Sequence, residues 1–283
     1  MSIQSSAVLV RLNISTWAAR KKDKEQSAEV AARTGADSKA GNYTKDLMVG
    51  TRHVKQLNDF AARCRLDYNY QTLPWDDRGD RVLPTSLVFD FKEEHNEKRD
   101  NFYRQRDYIC EHRDELVQVA ANYLGAMYNP ADYPTADEIW EKYKWSLTMK
   151  PIPDSGHLCL DLPAQDLEDL RVELERENND KLKAATETAW KRLHGMLEGM
   201  SQKLTESDDG KDKRFHGTFI TNPRDLCDLL SHLNITNDPD LEQAKQMLEA
   251  SLAHANVDVL RESPHTREHM KSKVDEILEK FEW

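Results

Sequence analysis

Apolar positions along this chain follow two periods in turn. Residues 7–14, AVLVRLNI, are β-branched and Leu-rich and predict a strand. Residues 18–34 suit a helix. The stretch 35–50, GADSKAGNYTKDLMVG, holds three glycines and small polar residues and predicts a loop. From Thr51 to about Tyr70, the residues Val54, Leu57, Phe60, Ala61, Cys64 and Tyr68 recur at helical spacing. The breaker-rich LPWDDRGDRVLPTS (73–86) predicts a loop holding a short strand.

Two long helices dominate the middle of the pattern. The first runs from about Ser86 to Met127. Phe102, Ile109, Leu116 and Tyr123 repeat every seven residues, with Arg106, Arg113, Ala120 and Met127 as companions. This is a heptad seam with two arginines in it. Asn129-Pro130 closes it. Thr135 and Glu138 then form a capping box for a short helix from Ala136 to about Lys144. SLTMKPI (146–152) and HLCLDLP (157–163), around Pro153-Asp154-Ser155-Gly156, predict a hairpin. The second long helix runs from about Ala164 to Glu206. Its apolar line is Leu182, Ala185, Ala189, Leu193, Met196, Met200 and Leu204, an eleven-residue repeat that gives a nearly straight seam. At 1.5 Å per residue each helix is about 60 Å long. Packing the two as an antiparallel pair buries both stripes most economically.

Asp208–Asp212 predicts a linker. After it, Asn222-Pro223, Asp238-Pro239 and Ser263-Pro264 each set a capping side chain before a first-turn proline. Helices over 223–233, 239–260 and 264–281 follow from these caps. The expected fold class is α+β and mostly helical. A long, coiled-coil-like antiparallel helical pair carries a small β-sheet at one end (residues 1–207). A C-terminal helical subdomain (213–283) completes the chain.

Composition sharpens this. The 283 residues are 38% hydrophobic and 32% charged, with a mean hydropathy of −0.82. Such polarity suits long helices with solvated faces. No apolar run is long enough to span a membrane, and the N-terminus lacks the pattern of a secretory signal. The four cysteines, Cys64, Cys110, Cys159 and Cys227, show no CxxC spacing, so a zinc ribbon and a thioredoxin-type motif are excluded. A reduced, cytoplasmic protein is expected.

The net charge of −11 is unevenly spread. Residues 1–70 carry 12 Lys and Arg against 7 Asp and Glu, whereas the remainder carries 28 against 44. An acidic chain is a poor general binder of nucleic acid, whose phosphates dominate affinity. The basic first quarter still offers a local contact to phosphate, to a partner, or to the chain's own acidic helices.

Candidate chemistry is sparse. GxxxxGK[ST], GxGxxG, GxSxG and HExxH are all absent, so an ATPase, a Rossmann enzyme, a nucleophile-elbow hydrolase and a zincin are not expected. His265 and His269 are four apart, on one face of a helix, without an evident third ligand; two solvent-facing histidines are the plainer reading. The carboxylates of DDRGD (76–80) and DDGKD (208–212) lack calcium-loop spacing and are expected to be solvated turns. Arg20, Lys21 and Lys22 follow the first strand. Arg104, Arg106 and Arg113 interleave with Tyr103 on the first long helix, the pattern of a nucleic-acid stripe. Pairing of Arg106 and Arg113 with Glu173, Glu175 or Glu177 of the facing helix is the favoured alternative, because it satisfies both arginines without a partner.

Leu9, Leu12, Asn13, Ile14, Trp17, Arg20, Lys21 and Lys22 carry a resemblance. They are similar to the start of an uncharacterised family of phage and mobile-element proteins. There a short strand ending in LNI precedes an aromatic residue and a basic RKK-like turn. The motif lies within residues 9–22, and the order of elements extends the likeness to about residue 205. Genes of that family often stand near an AAA+ ATPase of the MoxR or cobaltochelatase-like type, or near recombination genes. The resemblance implies an accessory protein of a phage or mobile-element system, with an AAA+ ATPase as a protein partner. It brings no catalytic residue and no cofactor. The expected function is that of a non-enzymatic scaffold in the host cytoplasm, with homo-oligomerisation open. The alternative is a nucleic-acid-binding accessory in recombination or replication.

Overall fold

The computed structural model describes residues 6–37, 39–154, 156, 163–205, 215–281 and 283. In chain order the strands are β1 (Ala7–Ser15), β2 (Arg20–Asp23), β3 (Tyr43–Asp46), β4 (Leu73–Pro74), β5 (Arg81–Pro84) and β6 (Lys144–Pro151). The helices are α1 (Lys24–Thr34), α2 (His53–Gln71), α3 (Val88–Glu111), α4 (Arg113–Leu124), α5 (Ala136–Lys142), α6 (Ala164–Thr205), α7 (Thr218–Leu233), α8 (Pro239–Leu252), α9 (Val257–Glu262) and α10 (Pro264–Lys280). The fold is mostly helical, as the periodicity predicts. No helix among the described residues is long and apolar enough to cross a membrane.

A four-stranded antiparallel sheet has the order β4-β5-β1-β6, and β2 pairs with β3 separately. Along β1 the register is Ala7↔Pro84, Val8↔Leu83, Leu9↔Val82 and Val10↔Arg81. The opening apolar run is therefore an interior strand and not the sheet edge, which suits its near-continuous apolar character. Of the expected hairpin, the first arm is β6; residues 157–162 lie outside those described.

The chain divides into two compact units. Unit one comprises residues up to Arg11, Asn69–Asp90 and Thr148–Trp283; unit two comprises Leu12–Tyr68 and Phe91–Leu147. The predicted linker at 208–212 lies outside the described residues. The chain on both sides of it belongs to unit one.

In unit one, α6 packs on α10, α7 and β4. Ala185, Ala189, Leu193, Met200 and Leu204 are buried as the sequence pattern requires, with Leu197 buried in place of Met196. The expected antiparallel pairing of the two long helices is thus replaced: each stripe is buried within its own unit, α6 in one and α3–α4 in the other. Short helices supply the apolar surface that a second long helix was expected to give. Asp238 and Ser263 cap α8 and α10 as predicted, each accepting from first-turn amides. Asn222-Pro223 does not start a helix; α7 begins at Thr218 and runs through Pro223. Phe219, Ile220, Pro223, Leu226, Cys227 and Leu230 form one continuous buried face. Its packing outweighs the single hydrogen bond that the proline removes. The expected helix over 239–260 is two, because Asn256 caps a new turn at α9.

In unit two, α2 buries Val54, Leu57, Ala61, Cys64 and Tyr68. The expected single helix from Ser86 to Met127 is interrupted at His112. The His112 ring stacks on Tyr108 at 4.1 Å, and its Nδ1 lies 3.0 Å from the Tyr108 carbonyl, which also accepts the His112 amide. The helical bonds continue through this point, the Leu116 amide reaching the His112 carbonyl at 3.0 Å, and the interruption is the backbone of His112 itself, at φ −100 and ψ 16. The helix then ends at Leu124, where Gly125 turns the chain at φ +54, before Asn129-Pro130 is reached. Phe102, Ile109 and Leu116 are buried as the heptad predicts. Tyr123 is instead 68% exposed. Its ring lies over Gly50, at φ +80, where a Cβ would strike it.

His95 sits fully buried among rings. Its Nδ1 donates to the Phe91 carbonyl at 2.9 Å, its ring stacks on Phe91 at 4.0 Å, and its Nε2 has no partner. Burial, only partly opposed by the Phe91 carbonyl, holds its pKa below the ordinary 6.5. The unfolded chain therefore binds the proton more readily than the folded one. The stabilisation is complete above pH 6.5 and is lost progressively as pH falls below it. Urea melts at successive pH values should show this slope in the parent and lose it in His95→Phe. Parallel slopes would refute it.

Candidate interaction site

The basic residues after β1 build a small excursion in unit two. Ala19, buried and at φ +51, turns the chain into β2. β2 and β3 pair antiparallel, Arg20↔Asp46, Lys21↔Lys45, Lys22↔Thr44 and Asp23↔Tyr43. Between them stands α1. The Asp23 side chain caps it by accepting the Gln26 amide at 3.1 Å. Gly35, at φ +65, closes it with bonds to the Ala31 and Ala32 carbonyls. Ser27 ties the helix to β3 by accepting the Tyr43 amide at 3.0 Å. Both ends are well made, yet α1 buries no residue. Val30 and Tyr43 are 42% and 39% exposed. Together with Ala31, Thr34, Ala36 and Ala40 they line a groove of about 340 Å³.

The root of the excursion is an ionic cluster. Lys45 is buried, with Nζ 2.6 Å from Asp132 and 3.2 Å from Asp23, and donates to the Met127 carbonyl at 2.9 Å. Lys21 holds the other oxygen of Asp132 at 2.7 Å. Hydrogen bonds from Lys21 and Lys45 push the Asp132 pKa down. The Asp132 bond, against the cost of burial, pushes Lys45 up. The cluster therefore stabilises across the neutral range. Its carboxylate share fades as pH falls through the lowered pKa, and its lysine share fades as pH rises past the ordinary 10.5 through the raised one. Lys45→Met should cost about 2–3 kcal/mol by leaving Asp132 to Lys21 alone and taking the lysine from Asp23, read from urea melts. A loss below the error of the melts would show the cluster to be solvent-screened.

The six basic residues singled out from the sequence divide evenly. Lys21, Arg106 and Arg113 are consumed by the fold. Arg106 is buried, its guanidinium 4.2 Å from the Tyr103 ring centroid and 4.4 Å from that of Trp140, and pairs with Asp107 at 2.7 Å. Arg113 pairs with Asp114 at 2.6 Å and donates to the Pro134 carbonyl at 3.1 Å, bracing the turn before α5. The expected pairing with Glu173, Glu175 or Glu177 is replaced by these local partners, because carboxylates one residue away and two aromatic rings already satisfy the guanidiniums. Arg20, Lys22 and Arg104 are exposed. The sequence reading missed Lys45, Asp23 and Asp132. Lys45 stands opposite Lys21 in a polar strand, and Asp132 lies far along the chain, so no local pattern announces the cluster.

Other candidates resolve plainly. His265 and His269 are both exposed on α10, and no group of three potential metal ligands occurs among the described residues. In DDRGD, Asp77, Arg78 and Gly79 are exposed, as expected of a solvated turn. Asp80 is buried and pairs with Arg11 at 2.6 Å and with Lys150. Burial opposes its ionisation, but Lys150 and Arg11 outweigh that and keep its pKa low. Residues 208–212 lie outside those described. Trp283 turns back onto Trp190, with ring centroids 5.2 Å apart, and Trp75 and Trp145 are core residues. No family model, curated protein or solved structure matches the chain.

Proposed function

We propose that this chain is a non-enzymatic accessory of a phage or mobile-element assembly, working in the host cytoplasm by protein–protein contact through the β2–α1–β3 excursion. The observation that carries the reading is α1, capped at both ends yet burying nothing. An isolated helix shorter than about 12–15 residues is marginal in water, so its upkeep makes sense as a presented surface. The groove beside it offers Val30, Ala31 and Tyr43 as apolar contacts. The resemblance of residues 9–22 makes an AAA+ ATPase of the MoxR type the first partner to test.

Mixing the purified chain with such an ATPase should give a complex by analytical ultracentrifugation. Val30→Asp with Tyr43→Asp should weaken it by about tenfold or more. A complex indifferent to both substitutions, or nucleotide turnover by the chain alone, would overturn the reading. Exposure of Arg20, Lys22 and Arg104 supports a second one, contact with nucleic acid phosphates. It requires binding that weakens with salt and with alanine at these three positions.

A further inference from the structure

Among the described residues, β2 pairs with β3 and with no other strand. The Leu47 amide donates to the Ala19 carbonyl at 2.7 Å, and from there the antiparallel register alternates. Lys21 and Asp23 turn their backbone groups toward β3, whereas Arg20 and Lys22 turn theirs away. Those outward amides and carbonyls meet no partner among the described residues. Arg20, Lys21 and Lys22 are all exposed. Beside them lies a cleft of about 390 Å³, lined by Lys21, Lys22 and Lys24 and by the turn at 127–129.

The charges along this edge select what can add to it. Side chains alternate along a strand. Lys21 points to Asp132, as Lys45 does from β3, so Arg20 and Lys22 share the opposite face. Neither has an ion pair among the described residues. The carboxylate on that face, Asp46 opposite Arg20, accepts the Met48 amide at 2.9 Å. A second copy of the chain pairing here would set Arg20 and Lys22 against like charges, a common protection of edge strands. An added strand with Asp or Glu at alternate positions satisfies the outward backbone groups and both cations together. We infer that the β2 edge takes an extended, acidic segment of a partner protein as a third strand, with acids two residues apart beside Arg20 and Lys22. The inference rests on the reading of the β2–α1–β3 excursion as an interaction site, and assigns a contact to its strand edge in addition to the groove beside α1.

A fluorescein-labelled nonapeptide alternating glutamate and valine serves as the probe. Titrated with the full chain at physiological salt, it should bind with a Kd of order 100 µM. Methylating every second amide nitrogen of the peptide blocks one of its two edges and keeps its charge. One methylated frame should therefore lose binding by about tenfold while the other keeps it. Arg20→Gln with Lys22→Gln should weaken the unmethylated peptide by about tenfold and leave the urea melt of the chain unchanged. Absence of binding, equal behaviour of the two methylated frames, or full binding by the glutamine variant would overturn the inference. So would tighter binding of a thymidine oligonucleotide of equal charge, or a dimer of the chain that dissolves on the glutamine substitutions. Val30→Asp should leave the peptide titration unchanged. An ATPase complex that forms although the peptide does not bind would sink the strand edge and leave the α1 groove standing.

Discussion

Arg192→Met should lower the free energy of unfolding by about 3–4 kcal/mol, the largest loss expected from any single polar side chain here. Helix α2 ends at Gln71 without a glycine cap, so its last carbonyls need donors from elsewhere. Arg192 on α6 supplies them. It donates to Tyr70 at 2.7 Å, Asn69 at 2.8 Å and Thr72 at 2.7 Å. A cation at the negative end of a helix is also favoured by the aligned peptide dipoles. Burial, reinforced by Arg81, lowers its pKa to about 10, so it stays charged at neutral pH. Each charge-assisted bond is worth about 1.5–3 kcal/mol. The sum is not realised in full, because Arg81 also donates to Asn69 and Thr72 and retains part of the cap. Arg192→Lys keeps the charge but not the planar fork, and should lose about half as much. Urea denaturation measures both. A loss under about 1 kcal/mol for Arg192→Met would show that water replaces the guanidinium at these carbonyls.

Phe102→Ala is expected to cost about 4 kcal/mol in unit two. The ring is wholly buried and lies 5.6–5.9 Å from the rings of Tyr103, Tyr143 and Trp145. The neighbours cannot collapse into the space. The Tyr103 hydroxyl accepts the Trp145 amide at 3.1 Å, and the Tyr143 hydroxyl donates to the Trp17 carbonyl at 3.5 Å. Fixed rings leave a cavity, and a retained cavity raises the cost beyond simple transfer. Phe102→Leu should cost about 1–2 kcal/mol. Near-ultraviolet dichroism should lose intensity with the alanine, as the ring cluster loosens, and stability follows from the same melts. A cost near that of the leucine variant would mean that the site relaxes.

Much of the helical fold is legible in the sequence, and the reasons are local. The periodicity of Val54–Tyr68 and of Ala185–Leu204, the capping box at Thr135 and the Asp238-Pro239 and Ser263-Pro264 starts all act within one or two turns. What escapes depends on distance or on balance. RKKD and YTKD are too short and too polar to announce strands; they pair because Lys45 finds Asp132. The interruption at His112 is one residue's backbone leaving helical values, which no periodicity marks. Asn222-Pro223 has the local pattern of a helix start, whereas the buried face that carries α7 through it is not visible in sequence. The basic residues were visible as a group, but only packing shows that Arg106 lies between two rings while Arg20 and Lys22 face solvent. Of the candidate site, then, the charges and a helix within 18–34 are legible; that Arg20–Asp23 pair as a strand and that the helix buries nothing are not.

One length of backbone has a kinetic consequence. Helix α6 has 42 residues, about 63 Å at 1.5 Å per residue, and only its later part is rooted in the core. Starting a helix is the costly step; extending one is cheap. The buried turns therefore act as a permanent nucleus from which the first third, where no residue is buried, can melt and regrow without the domain opening. Amide protons along α6 should exchange on a gradient, fastest near Ala164 and slowing toward Leu193, with opening energies that rise from near zero to the global value. A change confined to the first turns will register as a steepening of that gradient at one end, while the root stays silent.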